Sequence, residues 1–117
     1  EAADITVVFA NLPGDRSGQT TTRGRTAPDG RFDLEKARVV LSTALVDGSD
    51  RKYLAGIAAV ASHEIGHALG LSGKPTGGHS DDPRDTMTPV VTARTQWPTA
   101  RDINSLAKAY PSRFPGR

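Results

Sequence analysis

The chain has 117 residues, a formal net charge of +2 and no cysteine, so it is long enough for one modest core and holds no disulfide or thiolate chemistry. Its 11 arginines and 4 lysines are spread without a dense block, which argues for a solvated surface and against nucleic-acid binding. The longest apolar run, Leu54 to Ala61, is far too short for a membrane span. No signal-peptide pattern opens at Glu1, which implies either a cytosolic chain or a targeting segment outside these residues.

Asp4-Ile5-Thr6-Val7-Val8-Phe9-Ala10 is β-rich and predicts a strand ended by Asn11-Leu12-Pro13-Gly14. Asp15 to Gly30 is polar and rich in Gly, Thr and Arg, and predicts a loop with one exposed edge strand near Gln19 to Ala27. Asp29-Gly30 signals a turn, and Ala37 to Thr43 predicts a second good strand. Asp47-Gly48-Ser49-Asp50 punctuates the chain, with Ser49 or Asp50 as the cap of a helix running from about Arg51 to Leu69. The apolar positions of that helix, 54, 57, 58, 61, 65, 68 and 69, follow the helical period, and Gly70 and Gly73 are its stops. Ser72 to Gly78 reads as a glycine-rich loop and Asp81 to Pro89 as irregular chain. A final helix begins at Thr99, where Thr99 and Asp102 have capping-box spacing with Asp in place of Glu. Its apolar face is Ile103, Leu106, Ala107 and Tyr110, and Pro111 ends it.

Inside the first helix lies His63-Glu64-Ile65-Gly66-His67. Two histidines four apart on a helix share one face about one turn apart, so both imidazoles reach one metal ion, and a glutamate after the first sits beside that metal as a general base. With 3 histidines and 3 glutamates in the chain, the pattern arises by chance with odds of about 0.002. A catalytic zinc takes three protein ligands and leaves one position for water. The remaining histidine, His79, is the first candidate for the third ligand, and Asp81, Asp82 and Asp85 are its rivals in the adjacent loop.

His63-Glu64-x-x-His67-x-x-Gly70, then His79, Ser80 and Met87 in Asp85-Thr86-Met87-Thr88-Pro89, resembles the metzincin zinc peptidases and, within them, the matrixins. Ala3-Asp4-Ile5-Thr6-Val7-Val8-Phe9 is similar to that family's A-D-I-x-I-x-F strand, and the Thr99-x-x-Asp102 helix is similar to its last helix. The resemblance implies a single α+β catalytic domain over residues 1–117: a small twisted sheet packed on a long zinc-binding helix, an irregular Met-turn segment and a C-terminal helix. Residues 1–70 would form the upper part and 71–117 the lower. It also implies a secreted zinc-dependent endopeptidase with Glu64 as catalytic base, His63, His67 and His79 on the zinc, and Met87 as an apolar floor beneath it. Its substrate would be an extended protein or peptide pairing with the edge strand near Gln19 to Ala27. A structural calcium held by aspartates among 15, 29, 33, 47 and 50 is a further implication.

The chain departs from the family pattern in three places. Eight residues separate Gly70 from His79 where the family has two, which amounts to a six-residue insertion at about Ser72 to Gly77. The family's first strand and first helix precede the A-D-I strand, with which this sequence all but starts, so a fragment or a shortened variant with an exposed strand edge is expected. The family's tyrosine after the Met-turn proline is Val91 here. The long loop and the short N-terminal side favour a second function class, a zinc-binding but inactive pseudo-protease acting as an interaction module. A metal-dependent hydrolase of non-peptide substrates is a third.

Overall fold

The computed structural model describes residues 4–14, 16–46, 51–71, 79–80, 82–88 and 98–113, with only the backbone described for 51–55. The architecture is α+β. Three strands, β1 (Ile5–Ala10), β2 (Gly18–Thr26) and β3 (Phe32–Ser42), form one sheet in the order β1-β3-β2. Helices α1 (Arg51–Ala68) and α2 (Ala100–Ala109) follow, with short 3₁₀ turns at Thr43–Leu45 and Pro111–Arg113. β3 pairs parallel with β1 and antiparallel with β2, so β2 lies at an edge, as its polar, threonine-rich sequence predicts.

β3 begins five residues before the predicted start at Ala37, and the reason is physical. Phe32-Asp33-Leu34-Glu35 alternates apolar and charged in one parity, whereas Ala37, Val39 and Leu41 alternate in the other. The register shift between Arg23 and Gly24 of β2 absorbs the change: Arg23 faces Lys36 and Gly24 faces Leu34, leaving Glu35 as the extra residue of a β-bulge. Both apolar sets therefore reach the same face, which a strict period of two does not foresee. The Glu35 carboxylate meets Arg23 Nε at 3.3 Å in the open. The turn at Asp29-Gly30 forms as expected, with Gly30 at φ +94° and its N–H donating to Ala27 O at 2.9 Å.

The core lies between the sheet and α1. Ala37, Val39, Leu41, Leu45, Val60 and Ala68 are buried together, with Ile5, Leu34, Ile57 and Ala61 packed on them. Each fully buried Val or Leu contributes about 1.5–3 kcal/mol, so this small cluster carries much of the stability. Ile65, one of the apolar positions that follow the helical period, is 36% exposed and lines a cavity of about 220 Å³ shared with Leu69, Pro98 and Leu106. Helical period alone does not distinguish the face toward the sheet from the face toward α2.

α1 stops where Gly70 predicts. Gly70 takes φ +85°, its N–H donates to His67 O at 3.0 Å, and Leu71 N–H donates to Gly66 O at 2.9 Å. That pair of bonds is a Schellman cap, and it satisfies carbonyls the helix leaves over. Tyr110, just past α2, donates its hydroxyl to Leu69 O at 2.8 Å, fixing the end of α1 against the second helix. α2 starts with the predicted capping box: Thr99 Oγ1 accepts from Asp102 N–H, and the Asp102 side chain accepts from Thr99 N–H. The proposed caps Ser49 and Asp50, the loop Ser72 to Gly78 with Gly73, and Asp81, Pro89 and Val91 lie outside the described residues. No helix among the described residues is long and apolar enough to cross a membrane.

Candidate metal centre

α1 presents His63 and His67 on one face, and the segment beginning at His79 brings the third imidazole to them. The ring centroids lie 4.7 Å apart for His63 and His67, 5.2 Å for His63 and His79, and 5.1 Å for His67 and His79. One ligand nitrogen from each ring lies within 4.8 Å of the other two. Among the described residues this trio is the only group of three histidine or carboxylate side chains placed to hold a metal ion.

The hydrogen bonds set the chemistry of those nitrogens. His63 is buried, and its Nδ1 lies 2.8 Å from the carbonyl oxygen of Thr86. A carbonyl only accepts, so Nδ1 carries the proton and Nε2 keeps its lone pair. That lone pair points to His67 Nε2 at 3.1 Å. Burial and the neighbouring His63 and His79 imidazoles push His67 down to about 4, so it is neutral at physiological pH. Three converging imidazoles, one of them held in its tautomer by a backbone carbonyl, are the donor set that zinc takes.

Met87 is 3% exposed and lies under α1 at Gly66, where a Cβ would collide with Met87 Sδ. Only glycine lets the thioether come this close beneath the histidine-bearing turn.

Glu64 is buried and its carboxylate points under β2. Thr20 donates its hydroxyl to Glu64 Oε1 at 2.7 Å, and the same Oγ1 lies 3.0 Å from the Glu64 carbonyl. A Cβ on Gly18 would lie 2.7 Å from Glu64 Cγ, so the glycine makes the space the side chain occupies. Two residues along, Thr22 donates to His67 O at 3.0 Å. Thr20 and Thr22 thus fix the edge strand onto the helix of the metal site by side-chain bonds to its backbone, and Gly18 on the same face leaves room for Glu64.

Of the aspartates that rival His79 as third ligand, Asp82 and Asp85 have other partners. Asp85 is engaged by Ser80, Thr99 and Arg101, and Asp82 by Arg84 and Arg101. The Arg84 guanidinium and backbone N–H hold the Asp82 carboxyl well below the usual carboxylate range. Of the aspartates named for calcium, Asp29 is paired with Arg31 at 2.9 Å, and 15, 47 and 50 lie outside the described residues.

The supports of the site leave little trace in the sequence. Asp102, read as a cap alone, also accepts Thr86 N–H at 2.9 Å, and so holds the peptide whose carbonyl orients His63. Its capping-box partner Thr99 is the only signal the sequence gives, and it says nothing of Thr86, which lies 16 positions away.

Comparison with known proteins bears on this geometry. The matrixin family model matches residues 1–111. The chain is similar to Metalloendoproteinase 1 of Glycine max, with 30% identity over 118 residues that cover 94% of this chain and 37% of the relative. No solved structure matches.

Proposed function

The chain belongs to the matrixin family, and from that premise we propose that it is the zinc-holding part of a secreted metalloendopeptidase of the metzincin type. The observation that carries this reading is the convergence of three imidazoles, two from α1 and one from the segment after it, with ligand nitrogens within 4.8 Å. His63, His67 and His79 hold the ion through neutral nitrogens. When bound, zinc supplies Lewis-acid activation of a water and of the peptide carbonyl. Glu64 takes the proton of the attacking water and returns it to the leaving amine. Thr20 holds Glu64 Oε1, so the proton resides on Oε2. Met87, under Gly66, forms the apolar floor of a Met-turn. The outer edge of β2 has no strand beside it among the described residues and receives an extended peptide by backbone pairing.

The chain spans 37% of the length of the curated relative, whose name records a metalloendoproteinase. One observation favours a second reading, a zinc-binding module without peptidase activity. The Glu64 carboxylate is committed to Thr20 beneath β2 and is not part of the histidine group. Cleavage of casein, an unstructured protein, separates the two. A peptidase cleaves it, stops on addition of a zinc chelator and recovers when zinc is restored. A protein that holds zinc and leaves casein intact is the binding module.

A further inference from the structure

His63 and His67 are placed by the helix that carries them, whereas His79 lies beyond the end of that helix. Eight residues separate it from Gly70, and a loop of that length leaves its end to be fixed by something else, at a cost in chain entropy. Among the described residues, the contacts that fix it lie downstream. Ser80 N–H donates to Met87 O at 2.7 Å and closes the segment on itself. Ser80 Oγ donates to Asp85 Oδ2 at 2.5 Å and accepts from Asp82 N–H at 3.1 Å. The other oxygen of Asp85 accepts from Thr99 Oγ1 at 2.7 Å, and Arg101 Nε lies 3.3 Å from Oδ2. Asp85 is 3% exposed, so these partners replace the water that an ordinary turn aspartate keeps.

We propose that Asp85 is a positioning residue for the metal centre: it ties Ser80, the residue after His79, to the first turn of α2 and so holds the third imidazole in place. The inference rests on His79 being a zinc ligand, as in the function proposed above. It gives the long loop a compensating device, because His79 is placed from its C-terminal side whatever the length of chain before it. Asp85 is not one of the side chains grouped to hold the metal. It acts through the hydroxyl of Ser80.

The test is a double-mutant cycle on the full chain, read as zinc affinity by chelator competition and as the visible absorption of the cobalt-loaded protein. Ser80→Ala and Asp85→Ala should each weaken zinc binding by roughly 10–100-fold, the range for partners that orient a ligand. The double variant should lose little more than either, because both remove one linkage. The cobalt spectrum of Ser80→Ala should move toward that of His79→Ala, a change that general destabilisation does not produce. If Asp85→Ala does not fold, Ser80→Ala decides alone, since it removes only a half-buried hydroxyl. Zinc affinity within about twofold of wild type in Ser80→Ala, while His79→Ala weakens it, overturns the proposal and leaves the ligand assignment standing. Unchanged affinity in His79→Ala overturns both.

Discussion

Glu64→Gln is expected to lower kcat for peptide cleavage by roughly 10²–10⁴-fold with zinc affinity unchanged. Glutamine has the shape of glutamate, fills the space beside Gly18 and still accepts the Thr20 hydroxyl through its amide oxygen. Packing is therefore kept, and what is lost is the group proposed to take a proton from water and pass it to the leaving amine. Initial rates on casein alongside a chelator titration separate the two effects. A variant that keeps near-wild-type rates removes Glu64 as the base, and one that loses its zinc shows that the carboxylate serves the structure instead.

Asp102→Ala should destabilise the protein by about 3 kcal/mol or more and weaken zinc binding with it. The side chain is 5% exposed, and its Oδ2 accepts Thr99 N–H at 2.7 Å and Thr86 N–H at 2.9 Å. Alanine leaves two backbone donors without their acceptor, each costing about 1–3 kcal/mol where water does not reach. It also dissolves the capping box of α2. The effect on the metal follows from geometry, because the Thr86 peptide that Asp102 holds by its N–H orients His63 by its carbonyl. Asp102→Asn, which keeps an acceptor oxygen, should recover a large part of both losses. Urea unfolding of the metal-free protein measures the first effect and chelator competition the second. A loss of less than about 1 kcal/mol would show that water replaces the carboxylate at both N–H groups.

The parts of the molecule that were legible in the sequence are those in which residue type and spacing carry the chemistry. His63, Glu64 and His67 on one helix, Gly70 as its stop and the Thr99–Asp102 cap are all local patterns, and each sits where its spacing places it. Two things were hidden. The first half of β3 was obscured because the bulge at Glu35 changes the parity of the apolar positions, so a real strand reads as two unrelated pieces. The supports of the metal site were obscured because they join distant positions: Thr20 with Glu64, Thr22 with His67, Asp102 with Thr86. A threonine in a polar edge strand looks the same whether it faces water or a buried carboxylate. Only the fold says which.

The central claim is that the chain holds zinc through three histidines, the third delivered across an unusually long loop. X-ray absorption of the zinc-loaded protein tests it most directly. One zinc per chain is expected, with three imidazole nitrogens at about 2.0–2.1 Å, falling to two in His79→Ala. A zinc shell with two imidazoles and a carboxylate, unchanged by His79→Ala, would contradict it.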